Sequence, residues 1–344
     1  MKFLADPYSE EVSEQVDRHG VLKTYERWPS LAQQGFELKP GVSKAGFTRG
    51  CVMGMGGSAA GGDIISSWLA AKGGPEVSVF KGTVPVEDMT GILGVACSAS
   101  GQTEETIAMM KTALKRGATV VSLSAGGRLM RVSEEMGIPH MMMPEVVAPR
   151  YMLPFIVFAS MAVFDAGMGL GCVAEAKDAI SELESEWKAV SPSVPLRDNA
   201  AKKLAELARE RTPVIYGSRV TRGAGIRFKN VLNENSKRHA HFDGLPDAFH
   251  NEIEAWEDPA TGYMPIFLRH RSEAQWDRTR SDSMVRILQE LGRKPVEVRG
   301  RGETDLAELA TMVYRLDMAS YYLSVALRRD PFPTALIDRL KRES

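Results

Sequence analysis

Cys51-Val52-Met53-Gly54-Met55-Gly56-Gly57-Ser58 and, about 45 residues on, Ser98-Ala99-Ser100-Gly101-Gln102-Thr103 decide how this chain is read. Each stretch follows an apolar run of strand length and precedes a segment with helical periodicity. Glycine lets the backbone turn sharply and lets a ligand approach the main chain without meeting a Cβ. Free N–H groups at a helix start, aided by the helix dipole, favour an anion. Hydroxyls from Ser58, Ser98, Ser100 and Thr103 add neutral donors. One such turn alone reads equally well as an ordinary capped βα turn. Two hydroxyl-rich turns in the same chain point to a cradle for a phosphate monoester.

A dinucleotide site competes for the first stretch, because Gly54-Met55-Gly56-Gly57-Ser58-Ala59 fits G-x-G-x-x-G/A. That fingerprint expects an acidic residue after the second strand to hold a ribose. Here Lys81 follows the expected strand Val77–Phe80. A Walker loop is excluded by the lack of G-K-[ST]. A small sugar phosphate fits better than a nucleotide.

Working outward, strand-like and helix-like runs alternate: Cys51–Met53, 58–71, Val77–Phe80, Ile92–Cys97, 103–116, Thr119–Leu123, 128–136 and His140–Met143. This alternation predicts an α/β fold with a doubly wound parallel sheet, whose ligands bind beyond the carboxyl ends of the strands. Upstream, residues 9–35 predict one or two amphipathic helices in an N-terminal segment, 1–44. Met152 to Val173 carries one charge, Asp165, and is nearly long enough to span a bilayer. Pro154, its glycines and Asp165 favour a buried core or subunit-interface helix. After a charged helix over 175–187, Ser191-Pro192-Ser193-Val194-Pro195 reads as a linker. The pattern then restarts with Pro213–Tyr216, Gly217-Ser218 and a helix from Thr221 to Lys237. Strands at His239–Phe242, Tyr263–Leu268 and Pro295–Val298 follow, with helices at 197–210, 272–291, 303–327 and 333–342. A first domain over 45–190 and a diverged copy over 196–344 are expected.

The 344 residues carry 43 basic and 44 acidic side chains, so no charge excess argues for nucleic acid or an anionic membrane as partner. Three cysteines, Cys51, Cys97 and Cys172, lack C-x-x-C spacing and suit a reducing cytoplasm. The first six residues are too short and too soon acidic for a signal peptide.

The second half brings ionisable groups. Asn233-Glu234-Asn235 falls late on a helix, and His250-Asn251-Glu252 falls in a loop or helix start. A proton transfer at carbon needs a base beside that carbon, and ring opening needs a group titrating near neutrality. Alone, Glu234 reads as a solvated carboxylate and His250 as a capping histidine. His239 and His241 alternate along the expected strand but lack a third ligand for a metal. Arg150, just past the last strand of the first sheet, faces the strand ends and can meet a phosphate or an oxyanion. Thr334 and Lys341 lie seven apart on the last helix.

Taken together, these motifs resemble the bifunctional phosphoglucose/phosphomannose isomerase family of sugar isomerase (SIS) domain proteins, over about residues 45–344. Ser98-Ala99-Ser100-Gly101-Gln102-Thr103-Glu104-Glu105-Thr106 is the SIS stretch. Asn233-Glu234-Asn235, His250-Asn251-Glu252, Pro149-Arg150 and Ile337-Asp338-Arg339-Leu340-Lys341 are more particular to the family. The resemblance implies two SIS domains and an aldose–ketose isomerisation of hexose 6-phosphates through a cis-enediol, without metal or organic cofactor. It implies phosphate contacts from Gly56, Gly57, Ser58, Ser98, Ser100 and Thr103. It implies Glu234 as base, Arg150 at the enediolate, His250 opening the ring from a partner subunit, and Thr334 and Lys341 assisting. Ala99 stands where tyrosine is frequent, Gln102 where asparagine is usual, and Ala60-Gly61-Gly62 where Ile-Ala-Gly is usual; these bear on substrate preference. A non-catalytic sugar-phosphate sensor, or an isomerase of another phosphosugar, is the alternative.

Overall fold

The computed structural model describes residues 7–43, 46–83, 88–144, 148–259 and 262–343. The signal-peptide question falls on residues 1–6, outside them. Three short helices come first: α1 (Glu10–Val16), α2 (Val21–Glu26) and α3 (Trp28–Phe36). The break at Gly20, in the left-handed region at φ 69°, divides what periodicity alone joins into one or two helices.

Five parallel strands follow: β1 (Arg49–Met53), β2 (Glu76–Phe80), β3 (Ile92–Cys97), β4 (Thr119–Ser124) and β5 (His140–Met142). Their order is β2-β1-β3-β4-β5. Helices α4 (Gly56–Ala71), α5 (Glu104–Lys115) and α6 (Gly127–Glu135) intervene. The strand order reverses between β1 and β3, so the loops after these two strands open side by side into one crevice.

The Met152–Val173 stretch becomes α7 (Leu153–Met168), with side chains such as Phe155, Ile156, Phe158 and Phe164 sealed from solvent. By length and composition the segment Pro149–Met168 could cross a membrane, yet most of it is buried inside the protein. A helix apolar on every side belongs in a core. Its burial within its own chain removes it as an argument for a subunit interface. Next comes α8 (Val173–Val190), packed along α3 and along the later helix over Asp305–Ala326.

The second sheet holds β6 (Thr212–Gly217), β7 (His241–Gly244), β8 (Tyr263–Arg269) and β9 (Val296–Arg299), all parallel, in the order β7-β6-β8-β9. That repeats the first sheet's order without its last strand. The helices here are α9 (Ala200–Ala208), α10 (Arg222–Glu234), α11 (Gln275–Glu290), α12 (Asp305–Ala326) and α13 (Ala335–Glu343). One continuous apolar core runs from Val52 and Leu123 through α7 and α12 to Ile215 and Ile266. Cys51, Cys97 and Cys172 are buried free thiols.

Two expected elements end elsewhere. Helix α10 stops at Glu234, three residues short of Lys237. Lys237 is left-handed (φ 55°) and reverses the chain, and the Arg238 N–H closes on Leu232 O at 3.2 Å. Strand β7 starts at His241, so His239 precedes it and the two histidines do not alternate along one strand.

Candidate active site

The loop after β1 enters α4 through Gly56, a left-handed residue (φ 51°). A Cβ on Gly57 would stand 2.9 Å from Arg150 Cα, so only glycine lets the Arg150 segment lie against this loop. Among the described residues, neither the Gly56 nor the Gly57 N–H has an acceptor in the protein. These are the orphan donors of a helix start, open to a ligand.

Ser58 joins the two loops: its buried Oγ accepts the Ala99 N–H at 3.2 Å. Ser98 Oγ and Thr103 Oγ1 are 2.8 Å apart. Whichever donates, the other hydroxyl keeps its proton for a ligand. Ser100 Oγ accepts from the Gln102 N–H at 3.2 Å and also keeps its proton. Glu104 would repel a phosphate here, but Arg128 pairs with it and offsets its charge.

A third loop, after β4, braces the second one. Gly101 is left-handed (φ 65°), and a Cβ on it would collide with Gly126 O. The Leu129 N–H closes on Gly101 O at 2.8 Å, and Ala125 N–H on Ala99 O at 3.1 Å. Behind it, His140 on β5 stands between Ser122 Oγ (2.8 Å from Nδ1) and Ser124 Oγ (3.4 Å from Nε2), while Ser124 donates to Gly126 O at 2.8 Å. Burial lowers the His140 pKa, against the opposing pull of Glu134.

Arg150, in a short 3-10 turn before α7, is buried yet committed on only part of its guanidinium. Nε donates to Asn235 Oδ1 at 3.2 Å, and Nη2 to Pro331 O at 2.7 Å and Phe332 O at 2.5 Å. Nη1 has no partner among the described residues. Glu234, the last residue of α10, places Oε2 3.8 Å from Arg150 Nε with its side chain 26% exposed. That carboxylate, too, has no hydrogen-bond partner among the described residues. The chain therefore sets a part-exposed carboxylate beside a half-used guanidinium, against the hydroxyl loops.

Asn235 is the hub that fixes this meeting. Fully buried, it accepts from Arg150 Nε and from Tyr151 OH (3.1 Å), and donates to Tyr25 OH (3.1 Å) and Ser320 Oγ (2.9 Å). All its bonding capacity is used. Asn233 instead donates to Arg238 O at 2.8 Å, so neither asparagine bonds Glu234. Under the hub lies a buried ion pair, with Arg227 Nε 3.0 Å from Asp317 Oδ1 and Nη2 donating to Arg150 O at 2.8 Å. Burial pushes the Asp317 carboxyl up, and Arg227 pulls it back.

Other expected site residues stand apart. His250 ends a 3-10 turn after Leu245–Pro246, exposed, its side chain without a hydrogen bond among the described residues. Thr334 is half-buried, two residues past the Phe332 carbonyl that Arg150 holds. Lys341 is exposed on α13, a helix with no buried residue and with Leu336, Ile337 and Leu340 open to solvent. Glu252 lies near Tyr216, whose OH is 3.5 Å from its Oε1, and has no contact with Arg150.

Residues 197–343 match the model of the bacterial phospho-glucose isomerase C-terminal SIS domain. Over 299 residues the chain is 30% identical to the bifunctional phosphoglucose/phosphomannose isomerase of Aquifex aeolicus, covering 84% of this chain and 88% of that one. This chain belongs to the bifunctional phosphoglucose/phosphomannose isomerase family. The protein of the same name from Caldicellulosiruptor bescii is 29% identical, over 92% of this chain and 96% of its own. The fold matches a glucose-6-phosphate isomerase like protein from Thermus thermophilus at TM-score 0.62 and 20% identity, covering 99% and 100% of the two chains.

Within this family's fold, sequence reading missed three contributors. Gly126 and Gly127 brace the Ser98–Thr103 loop, and the glycine pair after β4 was the available signal. The Asn235 hub gave only its place beside Glu234. Lys237 was the third: Nζ donates to Glu234 O (2.7 Å), Asn235 O (3.2 Å) and Asp330 O (3.0 Å), tying the end of α10 to the segment that leads to Thr334. Burial, with Arg150 nearby, brings its pKa down to about 8.

Proposed function

We propose that this isomerase interconverts glucose 6-phosphate, and mannose 6-phosphate, with fructose 6-phosphate through a cis-enediol. The observation that carries the reading is the approach of Glu234 and Arg150, from the two halves of the chain, to 3.8 Å beside the hydroxyl loops. A sensor would need the loops alone.

The phosphate sits at the N–H groups of Gly56 and Gly57 and the hydroxyls of Ser98, Ser100 and Thr103, with Ser58 holding the two loops together. Glu234 takes the proton from C2 and returns it at C1. As the C–H bond breaks, charge gathers on the sugar oxygens, and the uncommitted Nη1 of Arg150 offers donors to it. His250 and Lys341 move protons between the ring oxygen and O1, with Thr334 beside them. The exposure of His250 and the uncovered apolar face of α13 support a homodimer in which His250 comes from a second copy. The three buried free thiols support a reducing, cytoplasmic setting.

The test is a coupled assay on fructose 6-phosphate that follows glucose 6-phosphate and mannose 6-phosphate separately, with EDTA present. Both products are expected, at undiminished rate. Loss of activity with EDTA and its return with zinc would overturn the metal-free mechanism; no turnover of fructose 6-phosphate would overturn the substrate.

A further inference from the structure

Helices α4 and α10 pack in opposite senses. The start of α4 lies at Arg150, which meets the end of α10 at Glu234, while the start of α10 lies on the middle of α4. There Gly223 approaches so closely that a Cβ would stand 2.4 Å from Asp63 O. Each half of the chain thus carries a strand–loop–helix unit, and the two units face opposite ways. The second unit is built like the first. Thr221 Oγ1 ties the loop after β6 to Leu268 O at the end of β8 (3.4 Å), as Ser58 ties the loop after β1 to Ala99 beyond β3.

A groove of about 680 Å³ lies beside this second loop, between the start of α10 and the edge strand β2. Arg219, Arg222 and Lys81 line it, with the hydroxyls of Ser66, Ser78 and Thr83 and two carboxylates, Asp63 and Glu76. Lys81 is spent on Asp63, 2.8 Å away. Arg219 and Arg222 make no ion pair and donate no hydrogen bond among the described residues. The Arg222 guanidinium stands 5.9 Å from the Phe242 ring centroid. Glu76 begins β2, at the opposite end of that strand from Lys81, roughly 16 Å away at about 3.3 Å per residue. In the loop itself, Ser218 Oγ is buried with no partner among the described residues. Two guanidinium forks without a hydrogen bond among the described residues, one of them stacked over Phe242 and drawn on by Asp63, match the oxygens of a phosphate, and the volume suits a small metabolite.

We propose that this groove is a second binding site for a phosphorylated sugar, held through its phosphate by Arg219 and Arg222. The site stands apart from the hydroxyl loops of the first sheet, and the inference does not rest on the catalytic roles given above. Calorimetric titration of the full chain with fructose 6-phosphate, repeated with inorganic phosphate, tests it. Two equivalents per chain are expected. The Ser100→Ala/Thr103→Val double variant should weaken one of them. The Arg219→Met/Arg222→Met double variant should weaken the other at least ~10-fold, with kcat unchanged, and Arg219→Lys/Arg222→Lys, which keeps the charge and loses the fork, should fall between it and the wild type. In the wild type, fructose 6-phosphate should shield Arg219 and Arg222 from phenylglyoxal, read by peptide mass spectrometry; this arm holds if the methionine variant fails to fold. A single equivalent per chain, a second equivalent untouched in a folded methionine variant, or unshielded arginines would overturn the proposal. An inactive chain that still binds two equivalents would refute the isomerase reading and leave the groove standing.

Discussion

Glu234 and Arg150 stand side by side, and the pair defines what a single substitution should do. Glu234→Gln keeps the shape and removes the base, so kcat should fall at least ~100-fold while phosphate-driven binding persists. Sugar deuterated at C2 should show a primary isotope effect where this transfer limits the rate. Part of the label should reach C1, because one carboxylate serves both carbons. Near-normal turnover in Glu234→Gln would move the base elsewhere. Binding belongs to other residues. Ser100→Ala and Thr103→Val each delete a hydroxyl donor to a dianion and should weaken sugar-phosphate affinity by about 1–3 kcal/mol apiece. Titration showing wild-type affinity in both variants would refute the cradle.

At the scale of elements, β5 supports the cradle through His140. Neutral His140 bridges Ser122 Oγ at Nδ1 and Ser124 Oγ at Nε2, and Ser124 passes the constraint to Gly126 O. Burial lowers its pKa in the folded state, so between the folded and unfolded values the unfolded chain binds more protons. Stability must then fall as pH drops below about 6.5, the ordinary histidine value. His140→Gln should lessen that loss, and urea midpoints of both proteins from pH 8 to pH 5 would reveal it. Parallel pH profiles for variant and wild type would rule it out.

For the whole molecule, the Arg227–Asp317 pair is the bolt between the N-terminal helices, the turn before α7, α10 and α12, through Tyr25, Arg150 and the ion pair itself. Asp317→Asn strands a buried guanidinium and should cost about 3–5 kcal/mol in denaturant unfolding, more than an exposed pair would. A change under about 1 kcal/mol, the scale of an exposed pair, would show that the pair relaxes when neutralised. Assembly is read by complementation: inactive His250→Ala chains mixed with inactive Glu234→Gln chains should recover part of the activity if each site borrows His250 from a second copy. No recovery in demonstrated heterodimers would place His250 in its own chain's site.

Local pattern was enough for the parallel strands, the two hydroxyl loops and the internal repeat, because strand and helix periods and glycine–serine turns are written in neighbouring residues. Alone it left Glu234 a solvated carboxylate, and only the family resemblance singled out Glu234 and Arg150. It did not place His241 and His239, since where a strand begins depends on what its neighbour pairs with. Nor did it show that Asn235 spends every hydrogen bond on the N-terminal helix, Arg150, Tyr151 and α12, that Gly126 props up Gly101, or that Lys237 reaches Asp330. Those contacts join residues tens to hundreds of positions apart, and only the packing of two sheets around α7 and α12 brings them together. The same packing turned Met152–Val173 from a possible interface into a core, and set Glu234 3.8 Å from Arg150, which lies 84 residues earlier in the chain.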